Sequence, residues 1–134
     1  MIATSYFASK LIKGCKVRLV SIALSTRYVK CERYKKLAPT REMIELAHEG
    51  NTDEYVRRYR AEILSKLDPL EVYRELDGAV LLCWEKAGSF CHRRLVAEWL
   101  EEATGKKVPE LDADVLKKFE FMHLVGEWLE KESA

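Results

Sequence analysis

The chain has 134 residues, of which 48% are hydrophobic, enough for one compact domain and hardly enough for two. Its 23 basic and 22 acidic side chains give a net charge of +1, so no strong field draws it to nucleic acid or to a membrane surface. No stretch has the roughly 20 consecutive apolar residues of a transmembrane helix, and the N-terminus lacks the pattern of a secretory signal peptide.

In the N-terminal half the pattern predicts two strands and then three helices. Strands are expected at 1–7 and 16–25, and the nearly continuous apolar character of the second fits a strand covered on both faces. A polar, irregular connection runs from there to Pro39. Each predicted helix follows a capping residue (41–50 after Thr40, 54–67 after Thr52 or Asp53, 69–76 after Asp68).

In the C-terminal half the clearest strand is 79–84, followed by a helix over 91–104 that Gly105 ends. The segment 106–111 is expected to be a short edge strand, because Pro109 cannot donate a ladder hydrogen bond. A final helix over 112–132 is expected to pack on the core. Alternating strands and helices predict a single α/β domain over 1–134, with a mainly parallel sheet flanked by helices in a Rossmann-like three-layer arrangement.

The chain contains too few cysteines for its length to be a disulfide-stabilised scaffold. The cysteines are Cys15, Cys31, Cys83 and Cys91. We therefore expect a cytoplasmic protein with reduced thiols. A structural disulfide between Cys83 and Cys91 is the alternative.

The turn between the strand at 79–84 and the helix at 91–104 is the candidate site. In parallel sheets, ligands bind beyond the carboxyl ends of the strands, where this turn lies. At about 100° per residue, the buried face of the helix centres near His92, which should point toward the sheet end at Cys83. Cys91 and Arg93 lie on the margins of that face. Arg94 should face solvent and pair with a glutamate four residues on, Glu98.

The thiols and the imidazole of this turn suggest nucleophilic catalysis. Cys91 or Cys83 would supply a thiolate, which a helix N-terminus and a neighbouring arginine both favour. His92 would act as the base or proton carrier, and Glu85 would orient His92 or act as a base itself.

An anion is the expected ligand, because the first turn of a helix presents unpaired N–H groups and a partial positive charge. Arg93 and Ser89 would help to hold it, and Gly88 would let the loop backbone approach it closely. Each residue also has a structural interpretation: a buried cysteine is usually a small hydrophobe, and His92 could simply bond a backbone carbonyl in the core.

Other sites are poorly supported. Counting five residues from Cys83 or Cys91 reaches Ser89 or Ala97, so the arginine of a cysteine-phosphatase loop is missing. Zinc is weakly indicated, since Cys83, Cys91 and His92 give at most three ligands without a C-x₂-C pair. Glycine-rich dinucleotide and P-loop signatures are absent. The basic, aromatic stretch 55–60 resembles single-strand binders, but its cations spread around the helix, so a nucleic-acid partner has only weak support.

The block VLLCWEKAGSFCHRRLVAEWL resembles the domain-of-unknown-function 488 (DUF488) family, whose members carry a similar Leu-Leu-Cys-x-Glu strand end and Cys-His-Arg helix start. RYKKLAPTREM and ILSKLDP resemble its short-chain branch, and the likeness covers roughly 1–111. It implies an α/β domain with site residues Cys83, Glu85, Cys91, His92 and Arg93. Many members have Asp-Val-Arg after the second strand; here the region reads VSIALSTR, so the aspartate is missing and Arg27 lies later.

Three hypotheses follow from these residues. The first is an enzyme acting on an anionic, nucleotide or otherwise phosphorylated substrate. The second is a module that binds a phosphate, nucleotide or nucleic-acid end without chemistry. The third treats the turn as packed core beneath a partner surface. None of them invokes a cofactor or a membrane, and the sequence leaves the oligomeric state open.

Overall fold

A computed structural model describes residues 1–25, 30–85 and 90–133, with side chains as far as residue 126. Its strands are β1 (Ala3–Tyr6), β2 (Arg18–Ser21), β3 (Glu32–Arg33) and β4 (Ala79–Cys83). They form one parallel sheet in the order β1-β4-β2-β3, so β4 is paired on both sides. The α/β class predicted from the alternating elements is confirmed.

The α-helices of the described part of the chain are α1 (Arg41–His48), α2 (Thr52–Glu62), α3 (Pro69–Leu76), α4 (His92–Thr104) and α5 (Ala113–Ser133). Successive side chains of a strand point to opposite faces of a sheet. Leu81 of β4 packs in the larger core cluster with residues of α2, α3 and α4, whereas Leu82 packs in a second cluster with Val115 and Phe119 of α5. Helices therefore cover both faces of β4, and all five of its residues are buried.

The predicted capping residues begin two of these helices. The Thr40 hydroxyl accepts a hydrogen bond from the Met43 N–H at 3.3 Å, and the Asp68 carboxylate accepts one from the Leu70 N–H at 3.0 Å. These bonds satisfy N–H groups that a helix start leaves unpaired. At the C-terminal end of α4, Gly105 takes the left-handed conformation with φ 70°, which is sterically accessible to glycine at little energetic cost.

The prediction of a strand over 106–111 is wrong for the described chain. Only an isolated bridge joins Glu110 to Thr4, with one hydrogen bond on each side of it, at 2.9 and 2.7 Å. Pro109 has no N–H to extend the ladder. The second strand is also shorter than the predicted 16–25, and the connection predicted as irregular contains the two-residue strand β3.

The basic, aromatic stretch 55–60 lies on α2 as an amphipathic helix. Tyr59 is buried, and its hydroxyl donates to the Leu37 carbonyl at 2.6 Å. Arg58 pairs with Glu62 at 2.6 Å, so its charge is already neutralised on the helix surface. Within the part of the chain that the structure describes, no helix is long and apolar enough to span a bilayer.

Candidate functional site

The candidate site lies at the carboxyl edge of the sheet, where β4 ends at Cys83 and α4 begins at His92. Cys91 is the extended residue immediately before α4. A pocket of ≈ 310 Å³ opens at this edge, and Cys83, Cys91 and His92 all contribute to its lining. The turn chosen from the sequence is thus next to a cavity large enough for a small molecule.

His92 is buried and turned toward the sheet, as the helical spacing predicts. Its Nε2 lies 2.7 Å from the carbonyl oxygen of Ile22, so Nε2 carries the proton and donates to that oxygen. Nδ1 is left unprotonated, 3.8 Å from Sγ of Cys91. Burial, with a smaller contribution from the Arg93 charge, lowers the pKa of His92 to about 4, against the opposing effect of the Ile22 hydrogen bond. The imidazole is therefore neutral at physiological pH.

Cys83 and Cys91 are joined by a disulfide, and both are buried. The expectation of reduced thiols is wrong for this pair, because the turn brings both sulfurs to one point, which the composition of the whole chain cannot indicate. Their Cα atoms are 7.3 Å apart, whereas a disulfide usually spans about 4.4–6.8 Å. Cys15 and Cys31 are free thiols. Thiol chemistry at the site requires the pair to be reduced.

Arg93 is fully buried, although the helical spacing places it only on the margin of the buried face. Its Nε and Nη2 donate to the carboxylate of Glu110 at 3.0 Å each, while its Nη1 donates to Sγ of Cys83 at 2.9 Å and to the carbonyl of Glu85 at 2.6 Å. The face of Tyr6 lies 5.8 Å from the guanidinium carbon. Arg93 therefore places a positive charge against the Cys83 sulfur.

The prediction for Arg94 is wrong. Its Nη1 donates to the Thr4 hydroxyl and to the Val108 carbonyl, each at 2.9 Å, so it ties α4 to the segment after it. Glu98, its predicted partner, instead lies 3.6 Å from Arg60. The helical wheel gives the side of α4 on which Arg94 lies. It contains no information about the segment after α4, which passes over that side of the helix.

Glu85 lines the pocket, but within the described residues the ring of His92 bonds the Ile22 carbonyl rather than this carboxylate. The orienting role predicted for Glu85 is thus filled by a backbone oxygen. Gly88, Ser89 and Arg27 lie outside the described residues, so their predicted roles stay predictions.

Aromatic side chains form much of the described pocket wall. The rings of Tyr55 and Phe90 meet edge to face at 5.0 Å, and Trp84 packs against Phe7 with ring centroids 4.4 Å apart. Burial, with a smaller effect of the Glu85 charge, raises the pKa of Tyr55, so its hydroxyl stays protonated. Such walls suit a ligand with a flat ring.

Sequence reasoning missed two groups that hold the site together: the carboxylate of Glu110 and the carbonyl of Ile22. Glu110 is 17 residues beyond Arg93, in a segment predicted only as an edge strand. A backbone carbonyl leaves no signal in residue identity. The aromatic wall could have been suspected, because Trp84 and Phe90 flank the loop.

In a comparison with protein families, the model of the active subclade of DUF488-N3 matches residues 10–104. No curated protein and no solved structure shows significant similarity to the chain. The matched segment includes β4, the turn and the whole of α4.

Proposed function

Since the chain belongs to the DUF488 family, we propose that it is an enzyme acting on a small anionic substrate through a thiolate of the Cys83–Cys91 pair. The observation that carries this proposal is the convergence of both sulfurs and the His92 imidazole, within 4.8 Å of one another, on the lining of one pocket. The description of the matched subclade as active supports chemistry rather than binding alone.

Cys83 is the better nucleophile of the two. The guanidinium of Arg93 lies against its sulfur and favours the thiolate form. Cys91 faces the neutral imidazole of His92, whose Nδ1 can accept a hydrogen bond from the Cys91 thiol. The imidazole is too weak a base to remove the proton of that thiol. In the reaction, the Cys83 sulfur bonds to an electrophilic atom of the substrate. The leaving group departs with its electron pair and takes the proton of the Cys91 thiol. The glutathione and thioredoxin pools that keep thiols reduced make the cytoplasm the proposed location.

The proposed position of the anion is the start of α4. Among the described residues, no side chain caps this 13-residue helix, and its first turn carries no acidic residue. The Arg94 N–H already donates to the Cys91 carbonyl at 3.2 Å, so the helix dipole and the earlier N–H groups are the features that favour a phosphate or carboxylate there. The aromatic wall of Tyr55, Trp84 and Phe90 lies beside the start of α4. A nucleotide suits this arrangement, because its base would pack on the rings and its phosphate would bind at the helix start.

We expect iodoacetamide to alkylate Cys83 of the reduced chain about 10-fold faster at pH 7 than Cys31, as measured by peptide mass spectrometry. Cys31 is less buried than Cys83, and burial still raises the pKa of its thiol. Faster alkylation of Cys83 would therefore show that the Arg93 charge outweighs the burial of Cys83. Equal rates at pH 7 for the two thiols would contradict the assignment of Cys83 as the nucleophile.

A binding module without chemistry is the second candidate, because the disulfide occupies both sulfurs. On this view Cys83→Ser/Cys91→Ser should keep the affinity for adenosine monophosphate within about 3-fold of the original, a difference of under 1 kcal/mol. Calorimetric titration of both proteins measures it. If the double variant folds but no longer binds, the sulfurs belong to the ligand site and the module hypothesis fails.

A further inference from the structure

Three metal-ligating side chains meet at the candidate site, and all three are buried. They are Cys83 at the end of β4, Cys91 at the N-cap of α4 and His92 in its first turn, with one donor atom from each within 4.8 Å of the other two. The end of β4 and the start of α4 fix the backbone positions of these three residues. The arrangement of the cluster therefore follows from the strand and the helix.

The tautomer of His92 is the one that a metal-bound histidine needs. Ligating histidines nearly always donate their second ring N–H to a carboxylate or a backbone carbonyl. Here Nε2 donates to the Ile22 carbonyl at 2.7 Å, which leaves the Nδ1 lone pair on the side of the Cys91 sulfur, 3.8 Å away. Nδ1 carries no proton in this tautomer, so its lone pair can coordinate a metal ion directly.

The spacing of the cysteine backbones also suits two thiolates on one ion. Zn–S bonds of about 2.3 Å at a tetrahedral angle set two sulfurs about 3.8 Å apart, wider than a disulfide allows. The Cα atoms of Cys83 and Cys91 are 7.3 Å apart, beyond the span of about 4.4–6.8 Å usual for a disulfide. Reduction would free both sulfurs to separate without drawing the strand and the helix apart.

We propose that the reduced chain binds one thiophilic divalent cation of the Zn²⁺ class through Cys83, Cys91 and the Nδ1 of His92. Two thiolates and one imidazole leave the fourth tetrahedral position to the pocket that the same residues line. This is the ligand pattern of catalytic zinc sites, in which the open position takes water or substrate. The Arg93 N–H that reaches Cys83 becomes a hydrogen bond to a metal-bound thiolate, and Glu110 neutralises the arginine charge.

This inference goes beyond the proposed function and does not rest on it. A bound cation would make the two sulfurs ligands, and the chemistry would pass from a thiolate to a metal-bound water. Three ligands without a C-x₂-C pair, which count against a closed structural zinc site in the sequence, suit a site with an open position. The open position accounts for the missing fourth ligand.

The test is a titration of the reduced, metal-free 134-residue chain with Co²⁺ and then Zn²⁺ under argon. We expect one equivalent of Co²⁺ to produce a sulfur-to-metal charge-transfer band, and one equivalent of Zn²⁺ to remove it. Cys83→Ser, Cys91→Ser and His92→Ala should each weaken binding by about 100-fold or more. The matched control Cys15→Ser/Cys31→Ser keeps both the band and the stoichiometry. A band that survives Cys83→Ser, or no uptake by a chain that is folded by circular dichroism, would overturn the proposal.

A second measurement needs no variant and remains informative if a substitution prevents folding. One equivalent of Zn²⁺ should slow alkylation of Cys83 and Cys91 in the unmodified chain by about 10-fold or more, and leave Cys15 and Cys31 unchanged. Equal slowing of all four thiols, or of none, contradicts the site. Fast alkylation of Cys83 without metal, combined with no protection by Zn²⁺, would leave the thiol enzyme standing and remove only the metal site.

Discussion

Replacing Glu110 with glutamine is expected to lower the free energy of unfolding by about 3 kcal/mol, because it leaves the buried positive charge of Arg93 without a counter-charge. Arg93 is fully buried, and its Nε and Nη2 both donate to the Glu110 carboxylate. Glutamine keeps the shape of the side chain and can accept a hydrogen bond, but it removes the compensating charge. Urea unfolding at pH 7, followed by circular dichroism, measures the difference.

The matched control is Glu98→Gln, which removes the same charge from an exposed pair. Glu98 and Arg60 are both 59% exposed and 3.6 Å apart, so water already solvates each of them and the loss should be under about 1 kcal/mol. Were the two substitutions to cost the same, the Arg93–Glu110 pair would contribute no more than a surface pair, and the description of Arg93 as a buried, compensated charge would be wrong.

Lowering the pH from 7.5 to 4 should destabilise the chain by about 3 kcal/mol through His92 alone. The pKa of His92 falls from the ordinary value of 6.5 to about 4 on folding. Between those values the unfolded chain binds a proton that the folded chain does not, so stability is fully present above pH 6.5 and is lost as the pH falls toward 4. Below about pH 4 this contribution no longer changes.

The comparison that isolates His92 is the His92→Gln variant, with both proteins kept oxidised. Glutamine can still donate to the Ile22 carbonyl but does not titrate, so its unfolding free energy should lack this component of the pH dependence. Carboxylates such as Glu32 and Glu62, whose pKa values arginine hydrogen bonds lower, affect both proteins alike. Identical pH profiles for the two proteins would show that folding does not lower the pKa of His92, against the burial described above.

Local pattern was enough to predict most of the elements and the place of the site. The apolar run at Ala79–Cys83 and the capping residues Thr40 and Asp68 act within a few residues of themselves, so their structural consequences can be read from the sequence nearby. The same holds for His92, whose direction follows from the helical period. Positions along one helix or one strand are set by geometry that the sequence already contains.

Contacts between distant segments could not be predicted in this way. Arg94 binds Val108 and Thr4 because the chain after α4 returns across that helix toward β1, and no periodicity within α4 records that return. The pairing of Arg93 with Glu110 has the same origin. Sparse cysteine in the chain as a whole favours reduced thiols and leaves the disulfide as the alternative, whereas the bond depends only on the distance between Cys83 and Cys91.

The Arg93–Glu110 pair bears on how much of the chain makes a working unit. The family match ends at residue 104, six positions before the carboxylate that stabilises the site arginine. It also begins after β1, whose Tyr6 lies over that guanidinium and whose Thr4 holds Arg94. An expression fragment trimmed to the recognisable segment would therefore keep every motif residue and yet lose the counter-ion and the outer strand. The limits of a shortened form of this chain should therefore follow its tertiary contacts rather than the limits of sequence likeness.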